Sequence, residues 1–212
     1  MDGHVTEPKR RRLKSEERRQ EFVARAIELF AEEGFESSTR GLARALGVTQ
    51  PLLYRYFPSK EDLIAEVYRT VFLDRWRPEW EMLLGDRSRP LQDRLVEFYR
   101  SYVEAIYDQT WLRIYLHSGL NRVDTIRAYM GLVRRRVLER IVTEARAEAG
   151  LPDASPRDDE VELVWIVHGG IFYHGVRALI FDNAASNDRE LMIRDAVGAL
   201  VCGINAKLIR EA

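Results

Sequence analysis

Residues 38–60, STRGLARALGVTQPLLYRYFPSK, constrain this chain more than any other stretch. Leu42, Ala43 and Leu46 space as the buried face of a short helix. Gly47 then permits a tight reversal that a residue with a side chain would resist. Thr49 suits an N-cap, and Pro51 falls in the first turn of the helix that follows, where its missing N–H costs nothing. That second helix is about two turns long and carries Gln50, Leu52, Tyr54, Arg55 and Tyr56. It has little apolar surface of its own, so it reads as a probe held by its neighbours. This is the logic of a helix-turn-helix, whose second helix enters a groove of DNA.

The flanking sequence is helical throughout. Ser15 opens a helix with Glu16 and Glu17 in its first turn, where the helix dipole favours acids. Phe22, Ala26, Leu29 and Phe30 form its stripe, with Val23 and Ile27 beside them, and Gly34 ends it. Ser59 caps a fourth helix with Leu63, Ile64, Val67, Tyr68, Val71 and Phe72 along one side. Pro78 and the stretch 85–90 read as a loop. Long helices are predicted over 91–107 and 124–149, with a short one at 111–117 between them. Two more follow, from 156–159 to about 181 and from 188 to 209. No strand-type alternation persists, so the expected fold is all-α with about nine helices.

Composition sets limits on function. The chain has 212 residues, enough for one or two domains, and no run of 18 or more apolar residues. No membrane partner is expected, and the basic N-terminus lacks the apolar segment of a secretory signal. A single cysteine, Cys202, excludes an internal disulfide and suits a cytoplasmic protein. Cys202 itself reads as a small buried residue in a helix. Residues 1–60 hold 12 Lys/Arg against 9 Asp/Glu, whereas residues 61–212 hold 21 against 25. The split suggests a nucleic-acid-facing N-terminal part and a body that does not bind nucleic acid. Residues 9–14, KRRRLK, form the densest basic cluster, and 1–14 are expected to be a disordered arm. Two readings of the arm stay open, a tail that contacts phosphates or the minor groove and a solvated tail without consequence.

The 38–60 segment resembles the TetR family of bacterial transcriptional regulators. The match is carried by Ser38, Thr39, Leu42, Ala43, Gly47, Val48, Thr49, Leu53, Tyr54, Tyr56, Phe57, Ser59 and Lys60. It departs at Ser38, where Thr is commoner, and at Gly41, where a polar or acidic residue is usual. The resemblance implies a helix-turn-helix unit at 15–60 and a larger helical ligand-binding and dimerisation unit at 61–212. It also implies a homodimer on a palindromic double-stranded DNA operator, with a small-molecule effector bound inside the helices of the second unit. A repressor is the expected sign. An activator, or a regulator without any ligand, is the alternative.

Side-chain chemistry assigns roles within that frame. Gln50 can pair with adenine, and Arg40 or Arg55 with guanine, while Pro51 and Leu52 offer apolar contact to thymine methyls. By resemblance, Ser38, Thr39, Thr49, Tyr54, Tyr56 and Lys60 match positions that touch phosphates. Tyr56 is preferred over Tyr54 for that role, and Phe57 is read as core. The second unit is rich in aromatics, most of them expected in the core. Trp76, Tyr102, Trp111, Tyr115, His117, Tyr129, Phe172 and Tyr173 are the candidates for a largely apolar effector pocket.

Gly169, Gly170, Gly175, Gly198 and Gly203 interrupt the last two helices. They fit either close approach to a second copy or bulky neighbours within one subunit. The first reading is favoured, because a two-fold reader needs two recognition helices about 34 Å apart. His168 and His174 are six apart and do not share a helix face, so no metal is expected. No phosphate loop, nucleophile elbow or metal-protease pair is present; neither an enzyme activity nor a cofactor is expected.

Overall fold

The computed structural model describes residues 15–121 and 124–209. The basic arm expected at 1–14 therefore lies outside the described residues. Among the described residues the fold is all-α. The elements are α1 (Ser15–Glu33), α2 (Thr39–Ala45), α3 (Gln50–Tyr56) and α4 (Lys60–Tyr68), which runs on through a π-type turn at Arg69–Leu73. There follow α5 (Glu79–Gly85), α6 (Leu91–Ile106), α7 (Gln109–Leu120) and α8 (Asp124–Val133). A second π-type turn, Arg134–Leu138, joins α8 to α9 (Glu139–Glu148), and α10 (Asp158–Leu179) and α11 (Arg189–Ile209) complete the chain.

The expected helices are present, and α5 is an addition. The six residues between Pro78 and the 85–90 loop are too few for a periodic pattern to stand out. Trp80 and Leu84, one turn apart, bury its inner side.

The helix ends follow local chemistry. Gly34 and Gly47 both take positive φ, 76° and 67°. At Gly34 the backbone N–H closes α1 by donating to the Phe30 carbonyl at 3.1 Å. Gly47 turns the chain between α2 and α3, with its N–H on the Arg44 carbonyl at 3.0 Å. Ser38 caps α2, its hydroxyl accepting from the Gly41 N–H at 3.1 Å. Ser59 and Asp62 form a reciprocal capping box at the start of α4, with bonds of 3.1 and 2.9 Å.

One contiguous apolar core runs from Phe22 in α1 to Leu208 in α11. α1 packs across α4 and α7, and α10 lies along α11, which also packs on α6. Two buried carboxylates pin the far end of the body. Glu144 on α9 receives Arg87 at 2.9 Å, Arg140 at 3.1 Å and Arg94 at 3.2 Å. Burial alone would push the Glu144 carboxyl up, but Arg87 and Arg94 outweigh it and hold the carboxyl below its usual range. Glu160 on α10 is paired with Arg146 of α9 at 2.9 Å. Buried charges are tolerable only when paired in this way.

Gly41 lies exposed in α2, and a Cβ there would meet only the Ser38 hydroxyl, at an ordinary 3.4 Å. Gly41→Ala is expected to stabilise the protein by about 0.5–1 kcal/mol, read by chemical denaturation. A loss of stability would show that α2 needs the glycine for another reason.

Candidate functional site

α2 and α3 present one solvent-facing surface. Thr39 and Gln50, one from each helix, are linked by the Gln50 amide donating to the Thr39 hydroxyl at 3.4 Å. Tyr54, 39 % exposed, lies beside the same pair, and its phenol is held below its usual value by hydrogen bonds to Thr39 and then Gln50. Thr49 sits at the N-cap of α3, exposed, with no side-chain capping bond. Pro51 is exposed in the first turn. Arg40 and Arg55 are exposed and make no ion pair among the described residues; the same holds for Arg44, which no motif singled out.

Other members of the predicted set are partly committed. The Ser38 hydroxyl caps α2. Leu52 is half-buried against the core. Tyr56 is half-buried, its ring edge-on to Phe22 at 5.2 Å. Of the two tyrosines, Tyr54 is the exposed one and Tyr56 the half-buried one. The Lys60 ammonium donates to the Phe35 carbonyl. Phe57 is buried, as expected, with the Arg19 guanidinium 5.0 Å over its ring.

The body contains an aromatic cavity of about 50 Å³ between α6, α7, α8 and α10. Of the candidates, Tyr102, Trp111, Tyr115, Tyr129 and Phe172 line it, together with Ile106, Met130, Val133, Trp165, His168 and Gly169. Three candidates fall elsewhere. Trp76 packs on Trp80 at 5.3 Å with Arg136 over its ring. His117 faces Gly34, where a Cβ would come within 2.9 Å of its Nδ1. Tyr173 is 54 % exposed on the outer side of α10. Aromatic content alone does not distinguish the two sides of a helix: Phe172 points in, and its neighbour Tyr173 points out.

His168, which is not among the eight pocket candidates, also lines the cavity. Tyr102 and Tyr99 hydroxyls lie 3.4 Å from its Nε2 and Nδ1, and Tyr102 and Tyr129 hydroxyls lie 3.4 Å apart. Burial pushes His168 down to about 4 and the phenols of Tyr102 and Tyr129 up.

Two contacts join this cavity to the α1–α3 end. Phe72, in the π-type turn that extends α4, packs on Tyr129 at 5.0 Å, Trp111 at 5.2 Å and Tyr115 at 6.5 Å. α7, which carries Trp111 and Tyr115, also carries His117 against Gly34 at the end of α1. Beside them, Arg19 of α1 meets Glu66 of α4 at 2.9 Å, and hydrogen bonds from Arg19 and Arg69 hold Glu66 down to about 2.

The outer side of α10 exposes Ile166 and Tyr173 in line with Gly170, and α11 exposes Leu191, Ala199 and Cys202. Cys202 is therefore not the buried residue expected of it. The helix glycines divide between the two readings. A Cβ at Gly169, Gly170 or Gly198 would meet nothing within 4 Å. At Gly175 it would come within 2.7 Å of the Tyr107 ring, and at Gly203 within 3.8 Å of Leu163.

Comparison with known proteins gives a consistent picture. The family described as "Bacterial regulatory proteins, tetR family" matches residues 22–67. The HTH-type transcriptional repressor KstR2 of Rhodococcus jostii is 31 % identical over 157 residues, covering 70 % of this chain and 72 % of that protein. KstR2 of Mycolicibacterium smegmatis is 27 % identical with the same coverage. A transcriptional regulator from Pseudomonas aeruginosa PAO1 superposes with a TM-score of 0.71 at 20 % identity, covering 94 % of this chain and 96 % of the other.

The burial of His168 makes a pH dependence. Unfolded, the imidazole takes up its proton near its ordinary 6.5; folded, only near 4. Between those values the unfolded chain binds more protons, so stability falls as pH drops through that window, by at most about 3 kcal/mol. The stability difference between wild type and His168→Gln is therefore expected to shrink as pH falls from 7 towards 4.5 in denaturant titrations. A difference independent of pH would refute this.

Proposed function

The chain belongs to the TetR family of bacterial regulatory proteins, and on that premise we propose a ligand-responsive repressor released from a palindromic operator by a small, largely apolar or aromatic molecule. In this reading residues 15–60 are the DNA-binding unit and 61–212 the effector-binding and dimerising unit. Gln50, Arg40 and Arg55 read bases, with Pro51 and Leu52 beside them. Thr39, Thr49 and Tyr54 bind phosphates from exposed or half-exposed positions. Ser38, Tyr56 and Lys60 serve the backbone contacts as well as the local bonds that occupy them. The three arginines without ion pairs at this surface support the assignment, because unneutralised cations release counterions from DNA on binding.

The dimer is formed by α10 and α11. Its support is the outward row of Ile166, Gly170 and Tyr173 on α10, together with Gly198 on α11, which like Gly170 no side chain of its own subunit fills. Among the described residues no helix is long and apolar enough to cross a membrane.

The single observation that carries the ligand-responsive reading is Phe72. It lies in the π-type turn that extends α4 and packs on three rings of the cavity wall. The cavity, at about 50 Å³, has room for only a few water molecules. An effector must therefore part α7, α8 and α10 to enter, and in doing so moves the rings against which Phe72 and α4 are seated. A ligand that binds the expanded state and not the closed one supplies the differential affinity that a two-state switch requires.

Selection of bound duplexes from a random pool, at stated salt, tests the DNA reading: an enriched palindrome is expected, and no enrichment by a folded dimer would overturn it. Gln50→Ala is expected to lose about 1–3 kcal/mol of discrimination at one base pair, measured by competition with single-base operator variants. Phe72→Leu keeps an apolar side chain but forfeits the ring contacts. It should retain operator affinity and weaken ligand-driven release. Undiminished release would remove Phe72 from the route.

A further inference from the structure

We propose that the part of the effector entering the cavity is an uncharged, flat ring system ending in one hydrogen-bonding group, a hydroxyl or carbonyl, seated against Tyr102, Tyr129 and His168. This rests on reading the cavity as the effector site and deepens it.

Four observations carry the inference. First, among the described residues no charged side chain lines the cavity. Its polar groups are neutral at ordinary pH, since burial pushes the imidazole down and the phenols up. An ionised carboxylate placed there would lose its hydration and find only neutral donors in return.

Second, the polar atoms gather at one place and are loosely joined. The Tyr102 hydroxyl stands 3.4 Å from the Tyr129 hydroxyl and 3.4 Å from His168 Nε2, the long end of hydrogen-bond range. Three donor–acceptor groups with weak mutual bonds gain most from a fourth that bridges them. A neutral hydroxyl or carbonyl supplies it. The Tyr99 hydroxyl, on the other ring nitrogen of His168 at 3.4 Å, holds the imidazole from behind.

Third, the wall opposite offers flat faces. Trp111 and Tyr115 lie nearly parallel, 5.3 Å apart at 11°, and Phe172 sits 4.7 Å from Tyr115. Flat rings stack on such surfaces with offset or edge geometry.

Fourth, the entrance is marked. Gly169 lines the cavity, yet a Cβ there would meet nothing within 4 Å. Trp165 and Phe172, both half-buried, flank it on α10. Any charged portion of a larger effector stays outside this opening.

The test uses the full chain with three probes: 2-naphthol, 2-naphthoate and naphthalene, titrated by calorimetry at pH 7. 2-Naphthol is expected to bind at least about a hundred-fold more tightly than 2-naphthoate. Joint replacement Tyr102→Phe and Tyr129→Phe, which removes both hydroxyls and keeps the rings, should weaken 2-naphthol about ten-fold and leave naphthalene within about two-fold. Gly169→Trp, which fills the entrance, should abolish binding of all probes that bind wild type. Binding of 2-naphthoate as tight as 2-naphthol overturns the uncharged class. If that binding is also lost in Gly169→Trp, the cavity stands as the effector site and only the class falls. Binding insensitive to Gly169→Trp overturns both. An unchanged 2-naphthol affinity in the double variant, or no binding by any probe, overturns the proposed seat.

Discussion

The contact of Phe72 with Trp111, Tyr115 and Tyr129 is the joint on which the rest of this structure turns. α4 begins at a firm cap, Ser59 with Asp62, immediately after the recognition helix. It ends in a π-type turn whose buried residues, Val71 and Phe72, are inserted among the rings of the body. π-type turns disturb the regular hydrogen-bond ladder and recur at functional sites. Here the turn aims Phe72 at the cavity wall. The same apolar core thus extends from the α1–α3 end to α11 without a break, so the two ends cannot be repacked independently.

Rigidity and softness are distributed unevenly around that joint. The far end of the body is fixed by Glu144 among Arg87, Arg94 and Arg140, and by Glu160 with Arg146. A buried carboxylate is held to such a set because its charge, once separated from its partners, would be left uncompensated. The cavity end is held by aromatic packing and by polar contacts at 3.4 Å. Ring stacks have alternative offset arrangements of similar energy, whereas a paired buried carboxylate has few. A conformational change that starts at the cavity therefore has an easier path towards α1 and α4 than towards α9.

The 38–60 segment was legible because each of its residues serves a local rule. Gly47 carries the positive φ that the turn needs, Ser38 and Ser59 cap, Leu53 and Phe57 face inward, and Tyr54 and Arg55 face out. The different exposure of Tyr54 and Tyr56 has a non-local cause: Phe22, some thirty residues earlier, takes up the Tyr56 ring. In the body, five of the eight aromatic candidates line the cavity. Trp76 and Tyr173 are aromatic for other reasons, one edge-on to Trp80 with Arg136 over its ring, the other outward beside Arg177. His117 is placed by Gly34.

What the sequence determined by itself was the family, the all-α fold and the order of the helices, with α5 alone too short to declare itself. Those follow from periodicity, caps and turns, which act over a few residues. The tertiary structure decided which rings meet around the cavity, that His168 lies among them, and which helix glycines meet a neighbour. Those are properties of surfaces brought together from α4, α6, α7, α8 and α10, and a helix does not record in its own sequence which of its faces another helix will cover. The identical residue type shows it: Gly175 is filled against Tyr107, whereas Gly170, on the same helix, faces open space.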